Sequence, residues 1–577
     1  MSRKQMLTKK VAHTLLAMSI VSASGLNLWA GTAWAAADGN NGADYIQGNV
    51  SISAGADLGG VGDNGTDGAA GSGTDDAGGN GGNGGAASFS GTLTVNDRSK
   101  AVSVTVKGGN GGNGGAQSAQ TNAITGNGGS GGEAELQLTV GSDVQTGALT
   151  LEADAGNGGN GGNETNSASA TNVTVGNGGS GGNAAAGIAI TDGSLTATSI
   201  SLTAKAGSAG AMGNIKSQGR VDNHGGDGGT AGTAVVRGLV LSGQQAAVKV
   251  ANNIVITGTG GNGGTGGSVY GEAGLAAVGG AAEAYGLVAA DNGAYAVQFT
   301  DLTLQATGGD GGNGGSADLF FGSSTNNSQG DPYLSTDGAD GGNAVGKGLL
   351  VESGDVQLTA DNITSTVAGG NGGNAGNNNK ATREGAAAGQ GGMASATGIA
   401  VTGGLADKLS IKGIKAAATG GKGGTGALGR FDDRYAGTDA EQGSVGGAGG
   451  EAYAYGLFSS SSTKITADSI TAEAAGGSGG QGGKGGDSNS FKGRNGGSGS
   501  NAYAYGIWSS SVAEVTAGSI SSTATGGKGG NGGSGSADGI GSSLVGSGGS
   551  GGTGGNAFAY GVYGSGTAGA VRAFQRR

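Results

Sequence analysis

Eight residues from Gly108 read Gly-Gly-Asn-Gly-Gly-Asn-Gly-Gly, and tracts with the same three-residue period run from Gly308 to Gly315 and from Gly476 to Gly486. No other pattern restricts the fold so tightly. A period of three matches neither the strand period of two nor the helical period of 3.6. In a polyproline-II-type helix, with three residues per turn, every third side chain lines one edge. The two bare Gly edges then let neighbouring chains approach to backbone hydrogen-bonding distance. Successive tracts are therefore expected to go out and back as arms and to pack side by side as a polyglycine-II layer. Flexible linkers are the alternative, the usual reading of Gly/Ser-rich sequence. Collagen needs abundant Pro, and the 577 residues contain 143 Gly but a single Pro.

A longer repeat carries these tracts. EAYAYGLF, NAYAYGIW and NAFAYGVY, around Gly456, Gly506 and Gly561, are versions of one motif. AEAYGLV at Gly286, VGKGLLV at Gly348, ASATGIA at Gly398, AVVRGLV at Gly238 and AAAGIAI at Gly187 fill the same slot. A degenerate copy at Gln137 and a first copy at Gly91 complete ten anchors, spaced 46 to 62 residues apart with a mean near 52. A fixed motif with elastic spacing places insertions in one loop of a solenoid.

The residue two before each anchor is small or apolar (Ala185, Val236, Ala284, Ala454, Ala504), and the one after it is aliphatic (Ile188, Leu239, Leu287, Leu457, Ile507). Both slots are expected to face inward. The residue immediately before the Gly ranges from Ala186 and Arg237 to Lys347 and Tyr505. It is expected to face solvent, because Arg and Lys are not left buried and unpaired. Inward positions three apart break the strand period, so the Gly marks a bulge or corner. A second motif pairs aliphatic residues five apart: Val144/Leu149, Leu195/Ile200, Val297/Leu302, Leu358/Ile363, Leu409/Ile414, Ile465/Ile470 and Val515/Ile520. This predicts two short strands joined at a corner, each giving one residue to the interior. The Gly238 copy departs, with Val250 and Ile254 four apart.

Anchor and pair together span the length of one turn of a parallel β-helix, and about ten turns at ~4.8 Å each would bury an aliphatic ladder ~48 Å long. The expected fold is thus all-β, a repetitive parallel β-solenoid (β-helix) with stacked glycine-rich, polyglycine-II-like arms. Residues 36–90 read as a first coil and first arm, and 91–577 as about ten repeats with the last truncated.

Residues 1–35 read as an export signal. Arg3, Lys4, Lys9 and Lys10 precede the apolar run Leu15–Val21, and the small-x-small site at Ala33, Trp34, Ala35 predicts cleavage between Ala35 and Ala36. Polar Ser22, Ser24 and Asn27 stop the run well short of the ~20 apolar residues a membrane span requires. A secreted, cell-surface or outer-membrane-associated protein is expected. Without those 35 residues, 25 basic face 41 acidic side chains, a balance that repels phosphates and argues against nucleic acid as partner. Zero Cys removes thiol catalysis and Cys-based zinc sites, and only two His are present, His13 and His224. We therefore expect neither an enzyme nor a cofactor or metal.

The repeat AYAYGIWSSSVAEVTAGSISSTATGG resembles those of passenger domains of Gram-negative autotransporters, surface adhesins built on right-handed β-helices. The long leader and the Cys-free Ser/Thr/Gly/Asn-rich body are similar too. The GGxGG tracts also resemble mycobacterial glycine-rich repeat proteins and the polyglycine-II bundles of some antifreeze and phage adhesins. The resemblance covers most of residues 86–577 by pattern and carries no catalytic motif. It implies an adhesin that meets a host or neighbouring-cell surface glycan or protein. The family ends in a membrane β-barrel. Here the last repeat finishes in TAGAVRAFQRR instead, so a missing C-terminal barrel and a longer parent protein are expected.

Binding candidates lie in the variable inserts at the arm tips: Phe320, Phe321 and Tyr333; Arg430, Phe431, Asp432, Asp433, Arg434 and Tyr435; Lys492 and Arg494. Aromatic and Arg side chains on exposed loops are common in recognition, although such residues also simply cap loops. The series Tyr453/Tyr455, Tyr503/Tyr505 and Phe558/Tyr560 reads as a structural stack rather than a sugar-binding strip. A phosphate loop lacks its GxxxxGK[ST], and the calcium nonapeptide lacks its phased Asp. No Asp/Glu pair stands out for sugar cleavage. A structural or ice-binding scaffold is the second functional reading, and a secreted carbohydrate-active enzyme a distant third.

Overall fold

The computed structural model describes residues 36–53, 55–71, 77–118, 123–164, 173–213, 215, 223–268, 271–316, 335–377, 386–428, 443–485, 493–511, 513–535, 547–564 and 572–574. Every coil contributes one strand to the first of two long parallel sheets and one strand, or in two coils two, to the second. The first sheet stacks eleven strands in sequence order: Tyr45–Ile52, Ala87–Leu93, Ala134–Val140, Ala184–Ile190, Ala234–Leu241, Ala282–Ala289, Ala344–Val351, Ala394–Val401, Ala452–Ser459, Ala502–Ser509 and Ala557–Gly564. The second stacks the following strand of each coil, among them Ala294–Thr307, Asp355–Ala368, Leu405–Thr419, Thr463–Ala475 and Ala513–Thr525. This is the expected parallel β-solenoid. One continuous aliphatic core fills it from Ile52 to Ala517.

The five-residue spacing has a different origin from the one expected. Ala294–Thr307 is a single 14-residue strand, not two strands meeting at a corner. Its inward side chains are Tyr295, Val297 and Phe299, then Leu302, Leu304 and Ala306. One bend, between Phe299 and Leu302, shifts the alternation by one residue, so each half gives more than one side chain to the core. At the Gly238 copy the partner of Leu195 and Val297 is Val248, not Val250. An added residue there splits the strand into Gln245–Val250 and Asn253–Thr259.

The anchor Gly is a bulge only from Gly238 onward. Gly286, Gly348, Gly398, Gly456 and Gly506 have no register partner, while the residues on either side pair in step. The earlier copies are plain strands. Gly187 pairs with Arg237, and Gly91 with Leu138. Without a bulge the period of two persists, so Ala186 is buried and Ala185 lies on the outer side, the reverse of the expected assignment.

The bulge and the Ile of the next strand fit each other. A Cβ on Gly456 would sit 2.5 Å from Ile470 Cγ2 and 2.6 Å from Gly506 O. Gly398 with Ile414 and Gly506 with Ile520 repeat this. Bare backbone on one sheet therefore receives the aliphatic knob of the other, which ties the two sequence motifs into one contact. The turn between the sheets uses left-handed Gly where the chain needs it, as at Gly354 (φ 84°) and Gly404 (φ 70°). In the last coil Arg572–Phe574 pairs with Glu514–Thr516, so a short second-sheet strand follows Gly561 where none was expected.

Candidate functional site

The arms are ordered into two layers, one of outbound and one of returning segments. In the first Gly of each triplet the N–H donates to the third residue of the next coil in the same layer, as from Gly111 to Asn157 O and from Gly114 to Asn160 O (both 2.8 Å). The second Gly donates across to the other layer, as from Gly109 to Gly85 O and from Gly112 to Gly82 O. Returning Gly129 and Gly132 donate back to Gly112 O and Gly109 O. A Cβ on either Gly would lie well inside van der Waals contact of a backbone carbonyl: Gly129 O for Gly111, Thr66 O for Gly112. At these two positions only Gly fits; a few equivalent slots elsewhere hold another small residue, as Ala209, Ala339 and Ser500 do.

The third residue is more than a polar edge. Its N–H, which no carbonyl reaches, is taken by the side-chain oxygen of the equivalent residue one coil earlier. One such row runs from Asn64 Oδ1 to Asn110 N (2.7 Å), Asn110 to Asn157 (2.8 Å), Asn157 to Ser208 (2.8 Å), Ser208 Oγ to Asn262 (3.2 Å), Asn262 to Asp310 (2.9 Å), Asp310 to Asn371 (2.7 Å) and Asn371 to Lys422 (3.0 Å). Asn and Asp suit this slot because an oxygen on a short stem reaches a backbone N–H about one coil spacing away. Sequence reasoning missed the role; its signal was the excess of Asn, Asp and Ser at third positions.

At most of the tips the two layers close on one another and bracket the insert. Gly126 N–H donates to Gly115 O (3.0 Å), Thr336 to Gly315 O (3.1 Å), Ser444 to Ala427 O (3.1 Å) and Gly549 to Gly533 O (2.8 Å). Thr336 and Ser444 stand where the period expects a second Gly, and their buried hydroxyls add a clasp. Thr336 Oγ1 accepts from Gly315 N–H (2.8 Å) and donates to Gly274 O (2.5 Å); Ser444 Oγ accepts from Ala427 N–H (2.5 Å). A Ser or Thr in Gly phase was the readable sign of these clasps. Three successive arms share a small apolar cluster, with Ala123 and Val173 fully buried against Ile215.

Of the tip candidates only Arg494 is described; Phe320, Phe321, Tyr333, Arg430, Phe431, Asp432, Asp433, Arg434, Tyr435 and Lys492 lie outside the described residues. Arg494 also occupies a second-Gly slot. Its N–H donates to Gly483 O (3.1 Å) and its Nε to Gly443 O of the preceding coil (3.1 Å), so it ties two arms together. His224 is exposed, in the two-residue strand paired with Gly271–Glu272. Ala36 begins the described chain, its N–H on Ala77 O (2.8 Å); Ala35 lies outside it.

The outer face of the first sheet carries a grid of aromatics. Tyr453, Tyr503 and Phe558 form one column, Tyr455, Tyr505 and Tyr560 a second, and Phe458, Trp508 and Tyr563 a third. In the first two columns, and between Phe458 and Trp508, rings stack at 4.4 to 5.2 Å within 11° of parallel, while Tyr563 meets Tyr505 and Tyr560 edge-on. Both faces of Tyr503 and Tyr505 are thus covered by neighbours, and these two columns present edges and hydroxyls. Towards the N-terminus the third column continues as Ala400, Leu350 and Val288, buried on the outer side of the bulge. Burial pushes the Tyr285 phenol up to about 12, with Glu283 adding to the shift, and raises Tyr453, Tyr455 and Tyr505. On the second sheet a shallow groove of about 660 Å³ is lined by Thr196, Lys249, Gln298, Thr359, Lys408 and Lys464. Among the described residues no three His, Asp or Glu side chains gather as a metal site.

Fold and arms together define a class, a parallel β-solenoid whose coils extrude hydrogen-bonded polyglycine-II arms. Beyond that class, no protein-family model, curated protein or solved structure matches the chain.

Proposed function

We propose that this chain is a secreted or cell-surface bacterial adhesin, an autotransporter-passenger-like interaction protein that binds a surface glycan or protein through the inserts at its arm tips. One observation carries the reading. Each insert hangs between two lattice residues bracketed by backbone hydrogen bonds, with from six residues (between Gly267 and Gly274) to 20 residues (between Gly315 and Thr336) in between. A lattice that admits little but Gly along its arms, yet tolerates such variation at one edge, is a frame for presenting variable loops. Catalysis forms no part of the reading.

The test replaces the segments between Gly315 and Thr336 and between Ala427 and Ser444 with short Gly-Ser links. Binding of the purified chain to bacterial and epithelial surfaces and to a glycan array is then measured. Loss of binding with an unchanged melting temperature is expected; full binding without the inserts would sink the proposal. A second reading, a structural or ice-binding scaffold, draws on the rows of Asn, Asp and Ser across the arms. Thermal hysteresis that persists in the insert-deleted chain would favour it.

A further inference from the structure

Asn followed by Gly is the dipeptide whose backbone rearranges most readily. The Gly nitrogen, on losing its proton, attacks the Asn side-chain carbonyl carbon; ammonia leaves and a cyclic imide forms. Water then opens the imide to Asp or to isoaspartate. Gly promotes closure because no side chain shields the attacking nitrogen. The chain contains 16 Asn–Gly pairs.

In 14 of them, one residue of the next coil holds both reacting groups. Asn157 shows the pattern. Its N–H donates to Asn110 Oδ1 (2.8 Å), and its carbonyl accepts from Gly111 N–H (2.8 Å). The same two-point hold is made on the pairs beginning at Asn41, Asn64, Asn80, Asn83, Asn113, Asn127, Asn157, Asn160, Asn177, Asn262, Asn313, Asn371 and Asn495, with every bond between 2.7 and 3.0 Å. To close the imide ring the Asn side chain must leave one bond and the Gly nitrogen the other, which opens two neighbouring arms together.

Two pairs escape. At the corner Asp291–Gly293, Gly293 N–H turns back to Asp291 O (2.9 Å), outside the lattice. On the outbound arm after Thr525, Gly532 N–H meets no carbonyl among the described residues. Neither Asn292 nor Asn531, both exposed, offers Oδ1 to a backbone N–H there.

We propose that the polyglycine-II lattice shields its own covalent structure, protecting 14 Asn–Gly pairs from deamidation and leaving Asn292 and Asn531 as the modification sites of the folded 577-residue chain. The isoaspartyl product routes the backbone through the side chain and adds one main-chain atom. A triplet so altered falls out of phase, so an arm that opens and reacts does not rejoin the lattice.

The experiment incubates the purified chain at mildly alkaline pH, folded or in guanidinium, and maps Asp and isoaspartate by peptide mass spectrometry. In the folded protein the 14 pairs should convert roughly thirtyfold more slowly than in guanidinium (about 2 kcal/mol at about 1.4 kcal/mol per tenfold), while Asn292 and Asn531 convert first. Asn157→Pro removes the one N–H that holds Asn110 Oδ1, and its fixed φ suits a polyproline-II arm. It should speed conversion at Asn110 and leave Asn80 unchanged. Equal rates at all sixteen pairs in the folded chain would overturn the proposal, as would a folded Asn157→Pro variant with Asn110 still protected. If that variant does not fold, the comparison of folded and unfolded parent chain still decides.

Discussion

Gly in this protein does three separate jobs, in arm packing, at the strand bulge and in the left-handed turns at Gly354 and Gly404, and the first two were legible from spacing. In the arms, Gly-Gly-x with two bare positions announced close chain packing. At the bulge, Gly456 is needed because Ile470 and the next coil's carbonyl occupy the place of its Cβ. That contact joins residues on different strands, so the motifs could be seen in sequence but not their fit. Gly456→Ala should destabilise the fold by about 1–3 kcal/mol through overpacking, read as a lower urea midpoint with an unchanged slope; an unaffected midpoint would show that the knob and bulge do not touch. The Asn rows make a similar point. Asn110→Ala leaves Asn157 N–H without its acceptor and should cost about 1 kcal/mol, whereas Asn110→Ser, which keeps a short-stemmed oxygen as at Ser208, should cost less. Equal losses in the two variants would mean that the side-chain oxygen does not matter.

At the scale of the element, the arm is a helix with no internal hydrogen bonds, stable only in company. Replacing Gly482 and Gly483 with Val would drive side chains into Arg494 O and Ala427 O. We expect the double variant to lose amide hydrogen-exchange protection along its own arm and the arms on either side. Gln481→Ser changes an outward third residue and should leave protection as it is. If both variants exchange alike, the Gly edges are not the packing surface. The strands teach the opposite lesson. Their inward residues were readable from Gly238 onward, but at Gly187 the same letters sit in a strand without a bulge. A bulge depends on what the neighbouring coil places against it, and local sequence does not report that.

Over the whole molecule, the partly buried Tyr285, Tyr453, Tyr455 and Tyr505 link stability to alkaline pH. A phenol raised by burial keeps its proton longer in the folded than in the unfolded chain. Its contribution is therefore complete below the ordinary value of 10 and is lost as pH rises through the folded value, about 12 for Tyr285. Melting temperature should fall between pH 10 and 12 in step with phenolate absorbance. Substituting Phe for Tyr285, Tyr453, Tyr455 and Tyr505 should flatten the fall; the same slope in that variant would place its cause elsewhere. The sequence by itself determined the repeat, the all-β solenoid and the three-residue helix of the arms, because period and side-chain size are local properties. Tertiary structure alone decided the two-layer arrangement, the side-chain oxygens that cap the third N–H, and the use of Arg494 to tie arms together. The last two rest on a partner roughly one coil away, some fifty residues along the chain, and a hydrogen bond to such a partner exists only once the coils have stacked.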